Sequence, residues 1–256
     1  MSVLPLESGI IYGPLRSRRL DLSLGINLLP CDEKVCSFDC VYCHYGRTTV
    51  KTLQPVGVGF PSVPQVHRAV ERALRQHPDV MYLTFSGNGE PTLHPYFPEI
   101  VQHVARLRDA LAPEVKLALF SNATTVQRAE VRAALSHVDA PILKLDAGDP
   151  ETLLRLNRPV REVQLADIVA GLRRVPHLVI QSVLVDGTVS NVRGAAFEAW
   201  VAALDEIRPT RVQIYSTDYP VSEAGVEQVL PYRLERIAAQ VRERTGLSVE
   251  AYYWAY

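Results

Sequence analysis

The stretch VCSFDCVYCHYGRT, Val35 to Thr48, sets cysteines at Cys36, Cys40 and Cys43, with Tyr42 directly before the last of them. Cys31 is the one further cysteine of the chain, so all 4 lie between positions 31 and 43. A disulfide framework spreads its thiols to staple distant loops, whereas these crowd together and serve one local site. Thiolates in such a group suit zinc or an iron–sulfur cluster. Counting Cys31, they would complete a four-thiolate structural zinc site. Without it, three thiolates on a cubane would leave one iron open to another ligand.

Outward from this loop, the apolar run LSLGINLL (22 to 29) precedes the cysteines. Similar runs follow at MYLTFSG (81 to 87), VKLALFS (115 to 121), PILKLDA (141 to 147), LVIQSVLV (178 to 185) and RVQIYST (211 to 217). They are short, nearly continuous apolar runs with β-branched residues, and all but the first, which Pro30 follows, lead into Gly, Asn or Asp, which is the pattern of a buried strand. Helical patterns lie between them. Residues 63 to 75 put Val66, Val70, Ala73 and Leu74 on one face, and further helices are expected over 100–111, 126–135, 161–174, 192–207 and 231–245. Asp149-Pro150-Glu151 is a helix start: a capping oxygen, a proline suited to the first turn, and a carboxylate at the positive dipole end. Strands alternating with helices imply parallel βαβ units, with the cysteine loop at the carboxyl edge where such folds place their chemistry. Periodicity alone leaves a curled partial barrel and a flat doubly wound sheet both open.

A second motif, SGNGEPTLHP (86 to 95), ends the second strand. Together with Cys-x3-Cys-x2-Cys and the aromatic Tyr42, it makes the chain resemble the radical S-adenosylmethionine (SAM) superfamily, whose Gly-Gly-Glu element is matched with Asn88 between the glycines. More narrowly, GPLRSRRLDLSLGINLLP, KLDAGDPETLLRLNRP and the strand-ending SNA look like the iron–sulfur oxidoreductases related to tRNA wyosine-base synthases. The resemblance implies an α/β fold, a partial (β/α)6 TIM-like barrel of parallel strands with the cluster loop after strand 1. It also implies one domain over 1–256: an extension over 1–21, a barrel core over 22–218, and a C-terminal helix with an aromatic tail over 219–256.

The same resemblance implies one 4Fe-4S cluster and SAM as cofactors. Cys36, Cys40 and Cys43 would each hold an iron, SAM would chelate the fourth, and Tyr42 would shield the cluster. Reduction would then cleave SAM to a 5′-deoxyadenosyl radical that takes hydrogen from a substrate. Gly87, Asn88, Gly89 and Glu90 match the element that holds the methionine ammonium. Ser121 and Asn122 would bond the ribose or carboxylate, or else cap the next helix. Lys144 and Asp146 alternate with Leu143 and Leu145 and so point to one side. On that side Lys144 would pair with the cofactor carboxylate and Asp146 would take a ribose hydroxyl. A Schiff-base lysine and a ligand-free salt bridge are the other readings. Gln181 and Tyr215 are candidates for adenosine contacts, or core polar residues satisfied locally.

The chain departs from wyosine-base synthases in lacking their further cysteines for an auxiliary cluster, so that substrate does not transfer, and Cys31 reads as a small buried thiol or a loop thiol. Arg16, Arg18 and Arg19 before the first strand, His44 and Arg47 after the cysteines, and Asn157-Arg158 are candidate substrate residues at the mouth. The guanidiniums among them would grip phosphate or carboxylate, or form a solvated surface. The substrate is expected to be a small molecule or RNA, with reduced ferredoxin or flavodoxin as electron donor. Lys+Arg 27 against Asp+Glu 28 gives no field that would draw the protein to DNA or an anionic membrane. No apolar run reaches the roughly 18 residues of a membrane span, and the start does not read as a secretion signal, so the expected compartment is the cytoplasm. Lysine is scarce, at positions 34, 51, 116 and 144 only, which singles out each one. The alternatives are a glycyl-radical-enzyme activase and a non-catalytic zinc or iron–sulfur protein with a structural or electron-transfer role.

Overall fold

The six expected runs all become strands, because each supplies β-branched and aliphatic side chains to both faces of a buried sheet. In the computed structural model, which describes residues 3–218, 221 and 223–254, they are β2 (Asp21–Ile26), β3 (Tyr82–Phe85), β4 (Lys116–Ser121), β5 (Ala140–Lys144), β6 (Val179–Val183) and β7 (Arg211–Tyr215). They pair in parallel, in chain order. Each is followed by helix: α1 (Val63–Gln76) after β2, α2 (Phe97–Leu111) after β3, α3 (Ala129–Leu135) after β4, α4 (Pro150–Leu156) and α5 (Leu165–Leu172) after β5, α6 (Gly194–Ile207) after β6, and α7 (Pro231–Thr245) after β7. These are the six expected β/α units. Asp149 caps α4 as its chemistry requires, accepting from the Thr152 amide at 2.8 Å.

The structure corrects the expectation at both ends. The supposed extension contains β1 (Ile11–Ser17), antiparallel to β2, and the supposed tail contains β8 (Val249–Tyr252), parallel to β7. The sheet therefore has eight strands rather than six. Gly13-Pro14 interrupts the alternation of β1, and β8 is four residues long, too short to carry a period. Ala255 and Tyr256 of the terminal aromatic run, and Tyr219, Pro220 and Ser222, lie outside the described residues.

The edges β1 and β8 do not pair, so the sheet is an open half-barrel. Its curl shows in what the β1–β2 turn touches. Leu20 packs with Ala118, Ile142 and Val179 of three successive strands, and Arg19 stacks on Phe120 of β4 and Tyr215 of β7. Within the hairpin the Tyr12 ring lies over its partner Gly25, where a Cβ would stand 2.0 Å from the ring. The outer face, with Leu83, Phe85, Leu117, Leu119, Leu143, Ile180, Val212 and Ile214, forms one apolar core with the helices.

Candidate cluster and cofactor site

The cysteine loop leaves the carboxyl end of β2 and is fixed on two sides. Val35 lies against the SGNGEP segment: its amide donates to the Asn88 carbonyl at 3.1 Å and its carbonyl accepts from the Glu90 amide at 3.0 Å. A Cβ on Gly89 would stand 1.8 Å from the Val35 oxygen, so only glycine allows this approach. On the other side, the Val41 amide donates to the Leu156 carbonyl and the Asp39 amide to that of Asn157, which ties the loop to the end of α4. Cys36 is buried, Cys40 and Cys43 are half-buried, and Cys31 is exposed.

Each of the three inner thiols faces a nitrogen donor from a different part of the chain. Lys34 Nζ donates to Cys43 Sγ at 3.0 Å, Asn122 Nδ2 to Cys36 Sγ at 3.5 Å, and Asn157 Nδ2 to Cys40 Sγ at 3.4 Å. The Phe38 amide adds a donor to Cys36 at 3.4 Å. Burial pushes the Cys36 thiol up to about 12, with Glu90 adding to the effect, and burial raises Cys40 as well. Thiols in this setting become thiolates when something positive replaces the proton, and the donors then stabilise the sulfur charge. Among the described residues no three Cys, His, Asp or Glu side chains converge as ligands of a single ion do.

Glu90, Ser121 and Asn122 come together, but they satisfy one another. The Glu90 carboxylate accepts from the Thr92 amide at 3.1 Å and hydroxyl at 2.6 Å, from the Ser121 hydroxyl at 2.8 Å and from the Asn122 amide at 2.6 Å. Burial raises its pKa against those four donors. Asn88 is likewise occupied, donating to the Glu7 and Pro30 carbonyls and accepting from the Glu7 amide. Gly87 and Gly89 border this knot, so the ligand-facing groups left in SGNGEP are backbone ones.

Lys144 at the end of β5 and Asp146 two residues beyond it face the same side, as the alternation predicts, with Nζ and Oδ2 3.7 Å apart. Asp146 accepts from the Tyr42 hydroxyl, from Asn157 Nδ2 at 2.8 Å and from the Val183 amide at 2.7 Å. Lys144 donates to the Tyr42 oxygen at 3.2 Å and lies over its ring, 4.8 Å from the centroid. Burial opposes the ammonium, but Asp146 beside it raises the Lys144 pKa well above the ordinary lysine value. Tyr42, Lys144 and Tyr215 line a cleft of ≈ 180 Å³ with Cys43, His44 and Tyr45. Gln181 sits deeper, its Oε1 at 3.5 Å from the Tyr215 hydroxyl. Burial lowers the His44 pKa, and Lys144 lowers it further.

The rim candidates separate. Arg47 and Arg158 both close on Glu223, Arg47 also on Asp39 at 2.8 Å, so these two guanidiniums are spent on ion pairs. Asn157 is buried against Cys40 and Asp146 rather than lining the mouth, because the end of α4 carries it under the cysteine loop. Arg16 is exposed. Arg18 and Arg19 turn inward, Arg18 onto Asp218 and the Trp254 ring. The residue that sequence reasoning missed is Lys34, 3% exposed, with its ammonium shared between Cys43 and the Gly46 carbonyl at 2.6 Å. Burial works against its charge, yet the thiols around it raise its pKa. Its only sequence signal was the scarcity of lysine.

Three thiols thus stand at the carboxyl edge of a half-barrel, beside the cleft that Tyr42, Lys144 and Tyr215 line. The radical SAM superfamily model matches residues 34–190. A UPF0026 protein of Methanocaldococcus jannaschii is 36% identical over 165 residues, 64% of this chain and 48% of that protein, so the chain spans about half its length. A UPF0026 protein of Synechocystis sp. is 31% identical over 212 residues, covering 80% of this chain and 74% of that protein. The chain belongs to the radical SAM superfamily, among relatives known as UPF0026 proteins. A structure of TYW1 with a lysine–pyruvate adduct bound has the same fold, with a TM-score of 0.63 at 13% identity over 89% of this chain and 76% of that one. Enzymes of this superfamily generally use a 4Fe-4S cluster and SAM. Among the described residues no helix is long and apolar enough to cross a membrane.

Proposed function

We propose that Cys36, Cys40 and Cys43 hold three irons of one 4Fe-4S cluster and that the cleft beside Cys43 receives SAM. The observation that supports this best is the set of N–H donors aimed at the three sulfurs from Lys34, Asn122 and Asn157. N–H···S bonds stabilise thiolate charge and tune the potential of a cluster. Cys31 is exposed and outside that set, which leaves one iron for the cofactor. When bound and reduced, the cluster with SAM supplies a 5′-deoxyadenosyl radical able to take hydrogen from a substrate.

The chain's own residues then have distinct tasks. Lys144 offers its ammonium to the cofactor carboxylate, held at the cleft by Asp146 and by the face of Tyr42. A lysine paired this way is a poor amine nucleophile, so the geometry supports the carboxylate role over Schiff-base capture. Backbone carbonyls of the Gly87–Gly89 turn would receive the methionine ammonium, because the Glu90 oxygens are already taken. Tyr42 separates the Asp146 network from the cleft. Tyr215 flanks the space for adenosine, while Gln181, set behind it, does not line the cleft.

Anaerobic reconstitution with iron and sulfide should load about four irons per chain, and dithionite with SAM should then release 5′-deoxyadenosine. Cys31→Ser should keep both properties and Cys43→Ser should lose both. A fully loaded cluster that releases no 5′-deoxyadenosine, or that Cys31→Ser abolishes, overturns the reading.

A further inference from the structure

The inner face of the half-barrel carries a second polar group that the cluster chemistry leaves unused. Arg18 and Arg19 form the turn between β1 and β2, and this turn reaches across the opening of the sheet. Arg19 is packed between Phe120 and Tyr215, its guanidinium carbon 5.3 and 4.4 Å from the two ring centroids. Stacking satisfies the charge through the faces of the guanidinium, but its N–H groups lie in the plane and point sideways. Arg19 Nε and Nη1 are buried and bond nothing, and the same holds for Arg18 Nη1. Buried donors without partners are costly and rare, so a group of them in one place points to a missing acceptor.

Facing residues repeat the pattern. Gln181 and Gln213 are register partners on β6 and β7, on the side of the sheet that bears Tyr215. Gln213 is fully buried with neither amide atom bonded, and Gln181 Nε2 is also without a partner. Charge is unbalanced in the same sense. Asp218 takes Arg18 Nη2 and Asp146 answers Lys144, while among the described residues Arg19 has no carboxylate partner. The two stacking rings are walls of two cavities, Tyr215 of the ≈ 180 Å³ cleft beside Cys43 and Phe120 of a ≈ 130 Å³ cavity along the β1–β2 hairpin. Spare in-plane donors, one uncompensated cation and adjoining space are the requirements for binding an oxyanion in a fork.

We propose that Arg19 and Arg18, with the amides of Gln181 and Gln213, form an oxyanion site that anchors the carboxylate or phosphate of a small-molecule substrate. That the anchored molecule is a substrate rests on the radical SAM reading; the binding itself does not. Tyr215, on which Arg19 stacks, also lines the cleft that holds Cys43, so a molecule anchored beside that ring would extend toward the cofactor.

The test uses the full chain with its cluster reconstituted, titrated calorimetrically with inorganic phosphate and with acetate at constant ionic strength. Saturable binding of either is expected, and the preferred anion distinguishes a phosphorylated from a carboxylic substrate. Arg19→Met should weaken binding by on the order of tenfold or more, with Arg19→Lys between it and the wild type. Gln213→Leu, which removes orphaned atoms without touching a charge, should also weaken it; circular dichroism and melting establish that each variant is folded. No saturable binding to the wild type, or undiminished binding to folded Arg19→Met, overturns the proposal. So does displacement of SAM by phosphate, since the site would then be the cofactor's own. Release of 5′-deoxyadenosine by the wild type, assayed separately, decides the radical SAM reading without reference to the anion.

Discussion

The two faces of the sheet come from the same strands, one residue apart, and do different things. The outer face of β3 to β7 presents Leu83, Phe85, Leu117, Leu119, Leu143, Ile180, Val212 and Ile214 to the helices, all of them buried. The inner face presents Thr84, Lys144, Gln181, Gln213 and Tyr215, and both glutamines leave bonds unmade. Burial of apolar surface on one side supplies the stability that lets the other side hold polar groups in unsatisfied positions. Stability and chemistry are thus divided by the alternation of the strand rather than by regions of the chain.

That division can be broken first at its chemical edge. Cys40→Ser should abolish cluster iron, visible absorbance and 5′-deoxyadenosine together while the melting curve of the apoprotein stays close to wild type. On the outer face the outcome should be reversed. Phe85→Ala removes a fully buried ring packed edge-on to Phe97 and should cost about 3–5 kcal/mol in chemical denaturation. Its remaining folded fraction should still take up iron.

Lys34 lies between these extremes. Lys34→Met removes a buried charge beside Cys43 and should lower the reduction potential of the loaded cluster, read by EPR-monitored titration, with Lys34→Arg restoring part of it. An unchanged potential would make Lys34 a structural residue only. Gln213→Leu should leave stability within about 1 kcal/mol of wild type or raise it, since no bond is lost and an orphaned amide is removed. A large loss would show that the inner face is packed as tightly as the outer one.

The smallest effect concerns His94, outside both faces. The Tyr96 amide donates to its Nδ1 at 3.1 Å and its Nε2 lies 2.9 Å from the Pro61 carbonyl, an arrangement that needs the neutral ring. Burial lowers its pKa. The unfolded chain therefore binds the proton more readily, so this contribution is complete above the ordinary histidine pKa of about 6.5 and is lost as pH falls from there through the lowered folded value. His94→Gln should flatten that part of the stability–pH curve.

The six parallel strands and their helices were legible in sequence because a strand buried on both faces leaves a continuous apolar run. The edge strands were not, since β1 is interrupted at Gly13-Pro14 and half exposed, and β8 is four residues long. Within the candidate site, the cysteines and SGNGEP announce themselves by local spacing. Lys34 and the buried place of Asn157 do not, because their partners come from distant parts of the loop and from another strand.

The sequence by itself determined the chemistry available: three thiols in one loop, a glycine-rich strand end that lets the loop approach, and a charged pair spaced two apart at the end of β5. These depend on spacing along the chain, which local geometry converts directly into position. Only the tertiary structure decided which polar groups are spent and which are spare. Glu90, Asn88, Arg47 and Arg158 are consumed by neighbours far away in sequence, whereas Arg19 and Gln213 are left with donors free. Whether a hydrogen bond is made depends on what the curled sheet brings within about 3 Å, and no pattern in the chain encodes that distance.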